Sequence, residues 1–306
     1  MFNKSCAGVL SGLVLSLAMS AQADDTIHVT YAGSMGVVMD KALGPTFAAR
    51  EHLTYQGQGE GAYGLARMLA SKKVVADVFV SITPGPIDIL KQAGLVDQAV
   101  PVASTRMVIA YNPKSPFAPA LAASQASDAK QPWWQVLQTP GLRFGRTDAA
   151  TDPQGQNIIF AVKLAEKYYQ QPGLADRVLG EVQNPRQVFG EGGLLTRLEA
   201  GQVDAASGYE SATISAKLPY IVLPDEINLS NPAFAMAWYD TVSLTLPGKD
   251  GQPQTLKPQP LVFYAAVLKN APNAAQAKAF VAYLQSPVGQ QLFEANGYGK
   301  PKGGAL

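Results

Sequence analysis

Cysteine is almost absent from this chain of 306 residues: Cys6 stands alone, and histidine is limited to His28 and His52. A single thiol closes no intrachain disulfide. Two histidines with no cysteine partner and no metal-ligand spacing do not outline a zinc site. His28 falls in a strand pattern and His52 among surface residues. An excess of one charge is missing too, with 24 Lys and Arg against 23 Asp and Glu. Lys4 lies in an N-terminal leader, so the rest of the chain is neutral, without a basic run. That balance argues against nucleic acid or an anionic membrane surface as partner. An anion bound here has to be held by local dipoles and hydrogen bonds rather than a general positive field. No Gly-x-Ser-x-Gly elbow, internal repeat or low-complexity block occurs.

Long apolar runs are also lacking. The run at 9–19 is too short to span a bilayer comfortably. With Lys4 before it and Ala21-Gln22-Ala23 after it, 1–23 reads as a cleavable signal peptide. Cys6 precedes the run, a poor place for a lipoprotein acceptor, and its removal would leave a cysteine-free protein in the periplasm.

What is present is a long alternation of strand and helix patterns, enough for two lobes or one large domain. Strands are expected at 27–32, 53–56, 76–81, 107–111, 142–144, 205–209 and 220–223. A strand pair is expected at 241–246 and 261–268, joined by a polar loop. Helices are expected at 37–50 with Pro45 as an interruption, and at 62–72, 87–93, 157–169, 187–201, 211–217, 274–285 and 287–295. Trp133-Trp134 opens a helical turn, where packing is a more frequent role than a sugar platform. The alternation predicts an α/β architecture with largely parallel sheets.

The chemistry sits in the turns between strands and helices. At 145–156, Asp152 followed by Pro153 makes an N-cap and first-turn pair. The unpaired N–H groups there, at the positive end of a helix dipole, suit an oxyanion. Similar turns carry Ser34, Gly61-Ala62-Tyr63 and Ser81, and a fifth ends in Tyr209-Glu210-Ser211. Each alone is ordinary capping. Together, at the carboxyl ends of strands in an open α/β sheet, they would surround a small anion. The glycine-rich 57–61 resembles part of a phosphate loop but lacks its lysine and hydroxyl.

These residues resemble a known family, the periplasmic molybdate/tungstate-binding proteins of ABC importers, in the branch common in archaea. The motifs are Ala32-Gly33-Ser34, Ala76-Asp77-Val78-Phe79-Val80-Ser81, Val108-Ile109-Ala110-Tyr111 and Gly145-Arg146-Thr147-Asp148 with Asp152-Pro153 and Gly155. Leu223-Pro224-Asp225-Glu226-Ile227-Asn228-Leu229-Ser230 and Lys269-Asn270-Ala271-Pro272 follow in order. The resemblance implies a type II periplasmic-binding-protein fold, two lobes joined by two crossover strands. It also implies an oxyanion in the cleft, contacted by Ser34, Ser81, the Asp152 turn and Tyr209. The chain departs from the pattern at two places. Gly208 stands where that branch has a carboxylate before the tyrosine, the acid Glu210 following instead, and Gln154 stands where it has a cysteine.

Lobe 1 is expected at 26–106 with 241–306, and lobe 2 at 107–240. The expected ligand set is Ser34, Gly61, Ala62, Ser81, Asp152, Tyr209 and Glu210, with Asp152 a candidate ligand to the metal of a bound molybdate or tungstate. No catalytic residue and no cofactor are expected; the expected partners are the anion and an inner-membrane ABC permease, with the protein a monomer. Two alternatives stay open. One is another anion: sulfate, phosphate, or an organic acid gripped by Arg146. The other is an exported hydrolase using Asp152 and Glu210, which needs a carboxyl separation of roughly 5–9.5 Å.

Overall fold

Alternating and fully apolar segments build the strands of two mixed sheets in the computed structural model. It describes Met1 and residues 26–126, 128–150, 152–189, 193–247 and 252–306. The signal peptide expected at 1–23 thus lies, Met1 apart, outside the described residues. In chain order the first strands are β1 Thr26–Ala32, β2 Thr54–Glu60, β3 Val78–Ser81, β4 Val100–Ser104, β5 Met107–Tyr111 and β6 Phe144–Thr147. They are followed by β7 Val188–Phe189, β8 Ala205–Tyr209, β9 Tyr220–Val222, β10 Leu244–Pro247, β11 Pro253–Leu256 and β12 Val262–Val267.

One sheet has the order β2-β1-β3-β12-β4 and the other β7-β6-β8-β5-β9. Parallel pairing holds for β1 with β2 and β3, and for β6 with β7 and β8. Pairs made by β12 and β5 are antiparallel, so the sheets are less parallel than the alternation suggests. β5 leaves the end of β4 after only Thr105 and Arg106 and enters the other sheet.

Several local expectations are corrected. The strand expected at 53–56 is longer, because β2 runs on through the glycine-rich stretch to Glu60. Side chains at Gly57 and Gly59 would run into Asp40 and the ring of Tyr31. Those partners are fixed, since the Tyr31 hydroxyl donates to Asp40 Oδ2 at 2.6 Å. Pro45 marks an interruption of its helix, as expected. A π turn at Met39–Leu43 precedes the α segment Gly44–Glu51, and Pro45 sits in that segment's first turn, where its missing N–H costs little. The expected helix at 187–201 is β7 followed by the short helix Leu194–Glu199, because Val188 and Phe189 find register with Arg146 and Thr147. The expected strand pair is split. β10 pairs with β11, whereas β12, buried along nearly all its length, goes between β3 and β4. A run buried on both faces suits a central strand; the alternating β10 suits a surface hairpin.

That hairpin region lies on helix Pro153–Tyr168: Lys163 Nζ donates to the Ser243 carbonyl at 2.6 Å, and the Tyr168 and Trp238 rings stand 5.9 Å apart. At the passage between the sheets three backbone segments lie side by side. Thr105 N donates to Leu261 O, Leu261 N to Leu229 O, and Met107 N to Asn228 O. Buried Leu229 takes a left-handed φ of 61° there, costly for a leucine. Asn228 holds the bend, donating to Leu223 O and Asp225 Oδ1 and accepting from Ser230 N. No helix among the described residues is long and apolar enough to cross a membrane.

Candidate functional site

Strand register brings the expected turns to two edges. In the first sheet Ala32 pairs with Glu60 and Tyr31 with Val80. The carboxyl ends of β1, β2 and β3, with Ser34, Gly61 and Ser81 at or just beyond them, therefore share one edge. In the second sheet Gly145 pairs with Ala206, so Thr147 and Tyr209 finish at a common edge. Tyr209 is also opposite Met107, at the start of β5, and Ser81 is opposite Tyr264, near the start of β12. Both edges consequently adjoin the passage at 104–107 and 261–262. Ligands collect at such carboxyl edges in open α/β folds.

The first edge is lightly bonded. Ser34 is exposed in the 3₁₀ turn Gly33–Met35, anchored by wholly buried Met35. Its hydroxyl has no partner among the described residues, and its carbonyl accepts from the Tyr298 hydroxyl at 3.1 Å. Gly61 is exposed and begins helix Ala62–Ala70, whose first turn has no side-chain cap. Its open N–H groups and buried Ala62 present a small, unobstructed wall. Ser81 is wholly buried, and its hydroxyl donates to Thr83 O at 2.7 Å while accepting from Thr83 N. The same hydroxyl can serve a ligand only by exchanging those bonds.

The second edge is tightly bonded. Asp152 caps helix Pro153–Tyr168 as expected, accepting from Gln154 N at 2.9 Å. Gly155 lies against the backbone of 147–149 with no room for a side chain, which seats the helix start on the strand end. Gln154 Nε2 donates to Ser207 O at 3.2 Å and thereby ties the cap to β8. Next in β8 after Gly208 is buried Tyr209, whose phenol accepts from Asn157 Nδ2 at 3.0 Å. Burial pushes this phenol's pKa well up and the nearby negative charge of Asp152 adds to the rise, against the opposing Asn157 bond. Tyr209 therefore stays protonated, a neutral donor beside a carboxylate.

Glu210 is the residue that the structure turns elsewhere. Its carboxylate pairs with the Arg106 guanidinium and accepts from the Tyr220 hydroxyl at 3.1 Å. Arg106 belongs to the passage between sheets, so Glu210 ties β8's helix to that passage. Arg146, sought for an organic acid, is completely buried. Its Nη2 donates to Glu181 O and its Nε to Gln187 Oε1, both within the second sheet's own half. Its Nη1 is a buried donor with no partner among the described residues; burial lowers the guanidinium pKa and Asp148 opposes the drop. Gly208 cannot be matched by a bulkier residue freely, because a Cβ there would sit 3.0 Å from Thr213 Oγ1.

Sequence reasoning did not find Arg106, Asn157 or Tyr298. Asn157 follows Asp152 by five residues on a predicted helix, a spacing that could have flagged it. Tyr298 lies between two glycines in Gly297-Tyr298-Gly299, a local sign of close backbone approach on both sides.

Comparison with known proteins bears on this geometry. The chain is similar to the molybdate/tungstate-binding protein WtpA of Pyrococcus abyssi, 29% identical over 80% of this chain and 74% of that protein. Its fold matches the periplasmic molybdate-binding protein of Azotobacter vinelandii with a TM-score of 0.61 at 14% identity, over 90% of this chain and 99% of that one. It also matches the sulfate-binding protein SubI of Mycobacterium tuberculosis H37Rv with a TM-score of 0.58 at 17% identity, over 89% and 86% of the two chains. With its two mixed sheets, the chain has the type II periplasmic-binding-protein fold. Residues 27–299 match the family described as bacterial extracellular solute-binding protein, and the chain belongs to that family.

Proposed function

We propose that this protein captures a tetrahedral oxyanion, molybdate or tungstate, in a cleft between two lobes and presents it to the membrane permease of an ABC importer. The observation that carries the reading is the convergence of two donor-rich strand edges on the passage at 104–107. An exposed serine hydroxyl, an uncapped helix start and a protonated phenol are all neutral donors, and they suit a small dianion in a chain without excess positive charge. Sequence similarity to the molybdate/tungstate-binding relative supports the choice of anion. The lobes would follow the sheets, 26–106 with 241–306 and 107–240, with the hairpin region lying against a helix of the second. The protein would be an exported, non-catalytic monomer whose signal is 1–23, closing by a hinge motion around its cargo.

The proposed ligand set is Ser34, Gly61, Ala62, Ser81, the helix-start turn at Asp152 and Tyr209, with Glu210 acting from behind through Arg106. Hydrogen bonding, with the anion still tetrahedral, fits better than a six-coordinate metal. Asp152 already caps its helix, Gly208 brings no carboxylate, and Glu210 is paired. Discrimination against sulfate would then come mainly from cavity size, charge and shape being alike. Calorimetric titration of the ligand-free protein with molybdate, tungstate, sulfate and phosphate tests the reading. Binding of the first two is expected, with a gain of several degrees in melting temperature by linkage. Binding of sulfate or phosphate alone would sink the metal-oxyanion assignment.

A further inference from the structure

The segment Gly297-Tyr298-Gly299 sits where the two halves meet. Gly299 pairs with Ser104, each donating its N–H to the other's carbonyl, at 2.9 and 2.8 Å. A side chain at Gly299 would come within 2.7 Å of Ser104 Oγ, so glycine is needed for this approach. Ser104 is the last residue of β4, immediately before the passage to β5. The segment is therefore fixed to the hinge itself. On the other side Gly297 takes a φ of 81°, and a Cβ there would lie 2.8 Å from Ile214. Ile214 belongs to helix Glu210–Ser215, which starts directly after Tyr209.

Between these glycines the Tyr298 ring is buried against Phe263 and Phe293, with centroids 5.3 and 5.5 Å apart. Its hydroxyl donates to the Ser34 carbonyl and faces the Ser211 side chain. Ser211 in turn shares a hydroxyl contact of 3.3 Å with Thr105 of the passage. The phenol thus bonds the turn that carries Ser34, while its neighbour Gly297 packs on the helix that follows Tyr209, two candidate ligand-facing elements from different sheets. It reaches neither through an exposed flexible arm. Of the phenol's two contacts, only the approach to Ser211 crosses between the halves, since Tyr298 and Ser34 both belong to the first.

We propose that Tyr298 is a positioning residue for the bound anion: its hydroxyl sets the Ser34 turn and links that turn to closure of the second half. This rests on the oxyanion-binding reading above. The test uses Tyr298→Phe, which keeps the ring packing and removes only the hydroxyl, with Ser211→Ala and the double variant. Molybdate affinity and dissociation rate are measured together with melting temperature with and without molybdate. Tyr298→Phe is expected to weaken binding about three- to tenfold, mainly through faster dissociation. The ligand-free melting temperature should stay within about 2 °C of the native protein. The two substitutions should be less than additive in affinity and additive in ligand-free stability.

Unchanged affinity in Tyr298→Phe, or a loss of ligand-free stability as large as the loss in binding, overturns the proposal. So do additive effects on affinity. Native protein that binds none of molybdate, tungstate, sulfate and phosphate would overturn the underlying reading and this proposal together. Native binding with an indifferent Tyr298→Phe would overturn this proposal alone.

Discussion

The two strand edges that face the passage are made of similar residue types but are held in different ways. At the second sheet's edge Asp152, Gln154, Asn157 and Tyr209 bond to one another and to β8 within that half. At the first sheet's edge the Ser34 hydroxyl is free among the described residues, and the turn is steadied by Tyr298 from the far end of the chain. The bases of the sheets repeat the contrast. Among the described residues, buried Asp77 accepts only from neutral groups, His28 N at 2.8 Å and Asn273 N at 2.6 Å. Buried Asp204 accepts from Arg143 N, Nε and Nη2 and from Ser115 Oγ. The second half is thus preorganised by its own charges and amides. The first depends on the chain's C-terminal segment to shape its edge, so the anion would complete the first edge and find the second already formed.

Substitution at the base of the second sheet should have the largest effect. Asp204→Asn removes the charge that Arg143 and Ser115 are arranged around, and should cost about 2–4 kcal/mol in urea unfolding. The Asp204 carboxyl is buried, which raises its pKa, but the Arg143 and Ser115 hydrogen bonds outweigh this and hold it below the usual range. A depressed pKa contributes stability at neutral pH that disappears as pH falls through the folded-state value. Asp204→Asn should therefore flatten the acid limb of the stability profile below about pH 4. An acid limb as steep as that of the native protein would show that Asp204 is not a principal source of it.

Next comes the preformed edge itself. Tyr209→Phe removes a protonated donor and should weaken molybdate binding about tenfold or more by calorimetry. Since the Tyr209 phenol is held above its ordinary value, native affinity should be level between about pH 6 and 9. A fall in that interval would show that the donor is another group.

Asp152→Asn sharpens the comparison further, because asparagine caps a helix about as well as aspartate while losing the negative charge. With a hydrogen-bonded tetrahedral anion, affinity should hold or rise up to about tenfold. A strong loss would instead place the carboxylate on the metal. The smallest effect is expected for Glu210→Gln, whose charge is already matched by Arg106. Affinity should change by less than about threefold, and a larger loss would move Glu210 into direct contact with the ligand.

Much of this was legible without coordinates. The Asp152-Pro153 cap was readable because an N-cap is a local chemical fact: the Asp152 acceptor lies two residues from its donor. Ser34, Ser81 and Tyr209 stood out as polar ends of apolar strands, and register then set them on shared edges. Gly57 and Gly59 extend β2 beyond its expected end, because they make room for Asp40 and the Tyr31 ring, neighbours that no local pattern marks. Glu210 was placed on the right turn, but its partner Arg106 is 104 residues away. The C-terminal contact was least visible of all, since Tyr298 and Ser34 are separated by 264 residues.

The sequence by itself determined the α/β alternation, the small polar turns after the strands and the capped start of helix Pro153–Tyr168. Each depends on residues within a few positions of one another, where propensity and capping operate. Only the tertiary structure decided that β5 and β12 run against their neighbours, that Glu210 turns back to Arg106, and that Tyr298 reaches the Ser34 turn. Those outcomes follow from the chain passing between two sheets at 104–107 and returning near 261. Pairing across that passage joins segments whose residue types carry no mark of their partners.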